Sequence, residues 1–173
     1  MELDKHRKLI ISKASVDDAF DIVRFLNVIG GETDFLTFGL NGFPLSIQEE
    51  KNIISECGGD GQSLMLVGKI DNEIVSQLFL ERSPMVRLSH IGTIGVTVAR
   101  AHWRKSIGKK MMLSALEWAI STNITKLQLA VRSDNEHAIQ LYKKLGFHIE
   151  GTVTRAVRIG ETYFDNYLMG LEC

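Results

Sequence analysis

Apolar positions along the first third of the chain follow first a strand period and then a helix period. Residues 8–14, KLIISKA, alternate loosely and predict a strand. The stretch 15–30 opens with a serine and two acids and then carries apolar residues at helical spacing, which predicts a helix. Ser46 and Glu49 stand at capping-box spacing, so we expect a second helix to begin there and to end at the paired glycines 58–59.

The middle of the chain has the pattern of strands. Two strand-like runs flank the dipeptide Asp71-Asn72, which predicts a hairpin with a two-residue turn. Residues 88–98, LSHIGTIGVTV, form another strand-like run with Gly92 and Gly95 inside it. Glycine inside a strand indicates a bulge or a close backbone neighbour.

Helical spacing returns in the second half of the chain. A helix is predicted from four apolar residues four apart, Ile107, Met111, Ala115 and Ala119. A short strand, a helix from Asn135 closed by Gly146, and two final strands to Leu171 follow. The order β-α-α-β-β-β-α-β-α-β-β combines antiparallel hairpins with a β-α-β crossover, so it predicts an α/β domain with a mixed sheet and flanking helices.

Composition adds the expected class and compartment. A chain of 173 residues with 45% hydrophobic residues and two prolines predicts one globular domain over 1–173. Its two cysteines, Cys57 and Cys173, match no disulfide framework or metal-ligand spacing, so we expect a reducing compartment and no metal. The charged N-terminus and the absence of a long apolar run favour a cytoplasmic protein without a membrane partner.

Charge disfavours a general nucleic-acid binder, because the net charge is −1 and such proteins usually carry a basic excess. The two halves differ, however. Met1 to Val98 carries a balance of −5, and Ala99 to Cys173 a balance of +4. This asymmetry suits an anionic cofactor held by the second half and a cationic substrate attracted by the first, although it is more often a property of solvated surface.

The stretch HWRKSIGKKMM, His102 to Met112, contains five basic side chains and one glycine. A strand, a basic loop and a helix starting near Ile107 would expose unpaired N–H groups at the positive end of the helix dipole, which is an anion site. The Walker phosphate loop does not fit, since the pair Gly108-Lys109 lacks its upstream glycine and its following Ser or Thr. The dinucleotide pattern fails as well, because Gly92 and Gly95 lie within the strand.

Two segments resemble the GNAT acetyltransferase superfamily. Residues 103–108, WRKSIG, align with its pyrophosphate loop R/Q-x-x-G-x-G/A, with Trp103 in place of Arg or Gln and Ser106 in place of the first glycine. Residues 135–151, NEHAIQLYKKLGFHIEG, match the family segment N-x-x-A-i-x-l-Y-x-k-x-G-F-x-x-e-g at nearly every position. With the closing YFDNYLMGLE, the resemblance covers Ile91 to Glu172.

This resemblance implies a mixed, twisted sheet of about seven strands with about four helices, in which the fourth and fifth strands splay apart around acetyl-CoA. It also implies an acceptor-side half, 1–90, and an acetyl-CoA-binding half, 91–173, with a homodimer possible. The implied reaction moves an acetyl group to a primary amine of a small molecule or protein, and Tyr142 would be the general acid. Residues at the implied cofactor positions are Val96, Thr97, Val98, Trp103, Arg104, Lys105, Ser106, Ile107, Gly108, Lys109, Asn135, Ala138, Tyr142 and Lys144.

Acceptor recognition falls on the loop GGETDFLTFG, where we expect Glu32, Asp34, Phe35 and Phe38 to contact a cationic amine. The candidates for a general base are Glu32, Glu81 and His90. Several of these residues also have structural readings, since Asn135 is a good helix cap and Tyr142 could be a packed aromatic. The alternative to an enzyme is a CoA-binding sensor or interaction module of the same fold.

Overall fold

The computed structural model describes residues 8–57 and 63–173. The predicted glycine end of the second helix, 58–59, lies outside these residues. Along the described chain, seven strands and four helices follow one another in the predicted order. They are β1 (Ile10–Lys13), α1 (Ala19–Ile29), α2 (Ile47–Cys57), β2 (Ser63–Ile70), β3 (Glu73–Arg82), β4 (Ile91–Val98), α3 (Ile107–Ser121), β5 (Lys126–Arg132), α4 (Glu136–Lys144), β6 (His148–Ile159) and β7 (Thr162–Glu172).

The strands form a mixed sheet in the order β1-β2-β3-β4-β5-β7-β6. The pairs β1–β2, β2–β3, β5–β7 and β6–β7 are antiparallel. Strands β4 and β5 run parallel, with Ile91–Thr93 opposite Lys126–Gln128, as a β-α-β crossover requires. The predicted α/β class and mixed sheet are therefore confirmed.

By its internal contacts the chain divides into two compact units. Unit 1 comprises the described residues of Met1–Glu81 together with Gly95–Glu117, and unit 2 comprises Arg82–Ile94 and Trp118–Cys173. These boundaries differ from the expected halves 1–90 and 91–173. The single-domain interpretation of the whole chain stays a prediction.

Unit 1 has its apolar core where α1 and α2 meet the sheet. Buried members of this cluster include Ile22, Leu26, Ile54, Met65 and Val67. The predicted capping box of α2 is present, because the Ser46 N–H and hydroxyl donate to Glu49 Oε2 at 2.8 and 2.7 Å and the Glu49 N–H donates back to Ser46 Oγ at 3.3 Å.

In unit 1 the structure tests the predicted turn between β2 and β3 and the predicted surroundings of Gly95 in β4. The turn Asp71-Asn72 has φ values of 52° and 65°, as a two-residue hairpin turn of type I′ requires, so this prediction is confirmed. The glycines of β4 predict either a bulge or a close backbone neighbour, and at Gly95 no close neighbour lies among the described residues. A Cβ added there would meet nothing within 4 Å, so the glycine borders open space.

Unit 2 is built on β5, β7 and β6, with α4 next in the chain after β5. Leu127 and Met169 are fully buried. Strand β6 bulges twice against β7, and Arg155 in the second bulge has a φ of 54°. Gly146 closes α4 with a φ of 98°, so the predicted helix end is confirmed. None of the helices described has both the length and the apolar character of a membrane span.

Candidate functional site

The end of β4 and the turn that follows it form the first part of the site. The Ala99 N–H donates to Val75 O at 2.9 Å, and Thr97 Oγ1 donates to Gln77 O at 3.3 Å, so β3 fixes this end of the strand. A single 3₁₀ turn, Arg100–His102, then leads to the basic loop. The backbone of Val96–Val98 is thus held in an extended conformation directly before the loop.

Trp103 ties the loop back to the strand. Its indole Nε1–H donates to Val98 O at 2.7 Å, although 40% of the side chain is exposed. The guanidinium of Arg100 lies over the indole ring, with Cζ 5.9 Å from the ring centroid. Trp103, one of the two residues that depart from the family pattern, therefore fixes the loop between β4 and α3 to the end of β4.

The loop after Trp103 contains two residues with left-handed backbone. Arg104 and Ser106 both have a φ of 60°, a conformation that L-residues with a Cβ rarely adopt. A left-handed residue next to a right-handed one turns successive N–H groups toward one side in a concave, anion-binding arrangement, and Ser106 stands directly before the helical Ile107. Ser106 therefore has the backbone conformation for which glycine would be the usual residue, and it stands where the family pattern has glycine.

Helix α3 begins directly after this loop and is firmly packed. Its first intrahelical bond runs from the Lys110 N–H to Ser106 O at 3.1 Å, so the N–H groups of Ile107, Gly108 and Lys109 precede the hydrogen-bonded ladder. Ile107 is buried, whereas Lys109 is exposed and Lys105 is half-buried. The predicted N-terminus of α3 and its buried stripe are confirmed, and the loop and helix end together offer N–H groups and cations to an anion.

Glu32 also reaches this turn. Its Oε2 accepts a hydrogen bond from the Arg100 N–H at 2.8 Å. The backbone N–H of Glu32 donates to Ile29 O at 2.9 Å, so the residue is fixed at the end of α1. Unit 1 therefore brings Glu32 to the entrance of the basic loop, a contact that sequence alone did not predict.

The other predicted acceptor residues lie in the connection between α1 and α2. Asp34 is exposed, as is 40% of Phe35, whose N–H donates to Thr33 Oγ1 at 3.2 Å. Phe38 is half-buried against the core, and its ring meets that of Phe43 edge-to-face at 5.3 Å. Asp34 and Phe35 thus lie at the surface of unit 1, whereas Phe38 stabilises the loop.

In unit 2 the predicted residues of α4 extend from its N-cap to its last turn. Asn135 is the N-cap, and its Oδ1 accepts from the Ala138 N–H at 3.3 Å. Tyr142 is 8% exposed, and its ring packs at 5.9 Å from that of Phe147. Burial raises the pKa of Tyr142 to about 12. Lys144 is exposed in the last turn, where its charge favours the C-terminal end of the helix.

A buried arginine before α4 was not among the predicted residues. Arg132 is 8% exposed, and its guanidinium holds Asp134 with two bonds, Nε to Oδ1 at 2.8 Å and Nη2 to Oδ2 at 2.7 Å. Its Cζ lies 3.8 Å from the centroid of the Phe164 ring, and the hydrogen bonds of this pair lower the pKa of Asp134. The Asn135 N–H donates to Arg132 O, so this cluster fixes the start of α4. The charged pair two residues apart in RSDN was the only sequence signal for it.

The remaining base candidates are at the surface. Glu81 is exposed on β3 of unit 1, and His90 is exposed in unit 2, where its carbonyl accepts from the Thr125 and Lys126 N–H groups. Within 8–57 and 63–173, His, Cys, Asp and Glu side chains form no group of three that could hold a metal ion.

Comparison with known proteins places the chain among acetyltransferases. The sequence profile described as "Acetyltransferase (GNAT) family" matches residues 36–147. An L-amino acid N-acetyltransferase of Escherichia coli K12 is 34% identical over 106 residues, which cover 60% of this chain and 65% of that protein. A spermidine N(1)-acetyltransferase of the same strain is 23% identical over 120 residues, 67% of this chain and 55% of that protein. The chain thus matches less than two thirds of the length of each of these curated relatives.

Solved structures share the fold of this chain over nearly its whole length. A GNAT-family acetyltransferase structure from Streptococcus pneumoniae superposes with a TM-score of 0.93 at 30% identity, covering 96% of this chain and 100% of that one. A Salmonella typhimurium structure solved with its cofactor acetyl-CoA has a TM-score of 0.83 at 16% identity, with coverage of 95% and 94%. The profile match spans well over half of the chain, and the fold agrees with it: this protein belongs to the GNAT acetyltransferase family.

Proposed function

We propose that the chain is an N-acetyltransferase that moves the acetyl group of acetyl-CoA to a primary amine by direct attack on the thioester. The observation that carries this proposal is the loop from Trp103 to Lys109. In it, two residues with left-handed backbone precede the N-terminus of α3, where the first N–H groups have no intrahelical acceptor. Such a backbone suits the pyrophosphate of CoA. Family membership supplies the reaction class.

Cofactor binding in this proposal rests mainly on backbone. N–H groups of Lys105 to Lys109 bind the pyrophosphate, and the cations of Arg104, Lys105 and Lys109 add long-range attraction. The main chain of Val96–Val98 pairs with the pantetheine arm. The open space beside Gly95, just before this stretch, is compatible with an extended ligand running along the strand. On α4, Asn135, Ala138 and Lys144 are the proposed contacts.

Tyr142 is the proposed hydrogen-bond donor to the leaving thiolate. Tyr142 has a pKa of about 12, whereas an ordinary thiol has a pKa of about 8.5. Full proton transfer from the phenol to the thiolate is therefore uphill by about 5 kcal/mol. The phenol can instead donate a hydrogen bond to the sulfur as negative charge develops there, without giving up its proton and without this free-energy cost. The phenol therefore stabilises the departing thiolate chiefly as a neutral donor.

The acceptor we infer is a small amine bound near the α1–α2 connection, with Asp34 and Phe35 as contacts. The carboxylate of Asp34 would attract an ammonium group, and the exposed Phe35 ring would cover an apolar part of it. The curated relatives, named for L-amino acids and spermidine, supply the first substrates to test. The ammonium proton leaves before or during attack, through Glu81, His90 or water.

Isothermal titration with acetyl-CoA, CoA and ATP tests the cofactor site first. We expect acetyl-CoA and CoA to bind and ATP to bind at least tenfold more weakly, because the strand should recognise the pantetheine arm that ATP lacks. The double variant Arg104→Glu, Lys109→Glu should lose binding. Lys8→Glu, Lys13→Glu is the matched control, because it makes the same charge change at two exposed lysines elsewhere in unit 1. Equal affinities for ATP and CoA would mean that the loop binds phosphate groups in general and that the strand does not recognise the pantetheine arm.

Thiol release with L-amino acids and spermidine then separates the enzyme from the CoA-binding sensor. The enzyme releases CoA only when an amine is present, and Tyr142→Phe lowers kcat while acetyl-CoA still binds. The sensor binds acetyl-CoA without turnover, and Tyr142→Phe then changes only stability. A buried tyrosine packed on Phe147 fits either protein, so kinetics must decide.

A further inference from the structure

Glu32 supplies a cap that the turn after β4 cannot make for itself. The N-cap position of the turn Arg100–His102 is occupied by Ala99, whose side chain has no hydrogen-bond acceptor. The first N–H of the turn, that of Arg100, is instead accepted by Glu32 Oε2 at 2.8 Å, from 68 residues earlier in the chain. A carboxylate at this position carries the charge that N-terminal N–H groups favour.

The contact links two segments that are each fixed at their other end. Glu32 follows α1 directly, and its N–H is bonded to the carbonyl of Ile29, a residue of the core. On the other side, Arg100 lies over the ring of Trp103, whose indole N–H is bonded to Val98 O. Glu32 therefore connects the end of α1 to the first residue of the turn that leads into the basic loop.

We propose that Glu32 is a positioning residue that holds the Arg100–Trp103 turn and thereby the cofactor loop, rather than a base or a charge that contacts the acceptor. This inference rests on the proposed function, because it assigns acetyl-CoA to that loop. The Glu32–Arg100 hydrogen bond joins the connection between α1 and α2 to the turn that precedes the cofactor loop. Disturbing this bond therefore alters cofactor affinity as well as acceptor binding.

Glutamine and alanine at position 32 separate the two roles. A glutamine keeps an oxygen that can accept from the Arg100 N–H but has neither charge nor basicity, whereas alanine removes the acceptor. For a positioning role we expect Glu32→Ala to weaken acetyl-CoA binding about tenfold and Glu32→Gln to stay within about threefold of the original protein. The pH profile of kcat/KM should keep its shape in Glu32→Gln. Glu117→Ala, an exposed acid on α3 of the same unit, controls for loss of charge.

Amide hydrogen exchange of the cofactor-free protein tests the contact without any ligand. The Arg100 amide should exchange about tenfold faster in Glu32→Ala than in Glu32→Gln. The proposal is overturned if both variants lower kcat or raise the KM for the acceptor to the same extent while acetyl-CoA affinity and the exchange rate of the Arg100 amide are unchanged. Glu32 would then act through its charge. If the original protein binds no acetyl-CoA, the proposed function fails, and equal Arg100 exchange in both variants would still refute the hold on the turn.

Discussion

Ser106 has a left-handed backbone without being glycine, so replacing it by glycine should stabilise the protein. The left-handed region costs an L-residue about 1–2 kcal/mol, and the greater unfolded-state freedom of glycine cancels about 0.5–1 kcal/mol of the gain. With a φ of 60° at this position, Ser106→Gly should raise the free energy of unfolding by about 0.5–1 kcal/mol. For a domain of this size, Tm then rises by about 1–4 °C.

Thermal unfolding of three variants measures this effect. Ser106→Ala keeps the Cβ, and with it the backbone cost, so it should not be stabilised. Ser114→Gly is the matched control, because Ser114 lies inside α3, where glycine costs about 0.5–1 kcal/mol. If Ser106→Gly lowers Tm as much as Ser114→Gly does, the loop does not have the left-handed backbone in solution. The concave arrangement of N–H groups at the start of α3 is then not preformed.

Acetyl-CoA titration of the same variants separates the backbone from the hydroxyl. If the N–H groups bind the pyrophosphate, Ser106→Gly and Ser106→Ala should both bind within about threefold of the original protein. An equal tenfold loss in both variants would instead identify the Ser106 hydroxyl as a phosphate ligand. A loss in Ser106→Gly alone would indicate that the Cβ keeps the loop rigid.

Three further perturbations test other parts of the structure. Trp103→Phe removes the 2.7 Å bond to Val98 O but keeps an aromatic ring, so acetyl-CoA affinity measured by titration should fall about fivefold with kcat at saturation unchanged; unchanged affinity would contradict the tie. Burial raises the pKa of the Glu50 carboxyl, so the native state binds the proton of this group more tightly than the unfolded state does. The contribution of this proton to the free energy of unfolding is fully present below the unfolded pKa of about 4.3, and it is lost as the pH rises through the native pKa. Glu50→Gln should therefore raise Tm more at about pH 7 than at about pH 4, whereas Glu56→Gln on the exposed side of α2 should change little at either. With its pKa near 12, Tyr142 should keep its proton, so a fall in kcat between about pH 8 and about pH 9.5 that Tyr142→Phe abolishes would refute this environment.

Local patterns made most of the fold predictable. The capping box at Ser46, the turn at Asp71-Asn72 and the closing Gly146 each need only a few neighbouring residues, and all three are present in the structure. The element order followed from such signals together with the two hydrophobic periods. Gly95 shows the limit of the approach, because a glycine inside a strand can border open space as well as a close neighbour.

Tertiary contacts of the candidate site could not be predicted in the same way. Glu32 and Arg100 are 68 residues apart, and no local rule brings a carboxylate to a backbone N–H over that separation. Arg132 in a strand looks like a surface cation until β7 places Phe164 against its guanidinium. Trp103 departs from the family pattern, and its part in closing the loop depends on the position of Val98 O. Spacing indicated where the loop is, but packing determines which atoms hold it.

The state of the thiols favours direct acetyl transfer over a covalent acetyl-cysteine. Such an intermediate needs a thiolate, and the chain has two cysteines. Burial raises the pKa of Cys57 to about 11, and the negative charges of Glu50, Glu56 and Glu81 add to this shift. Burial also raises the pKa of Cys173. At neutral pH both thiols hold their protons. This favours the proposed direct attack of the amine on the thioester, a reaction in which both substrates are bound at the same time.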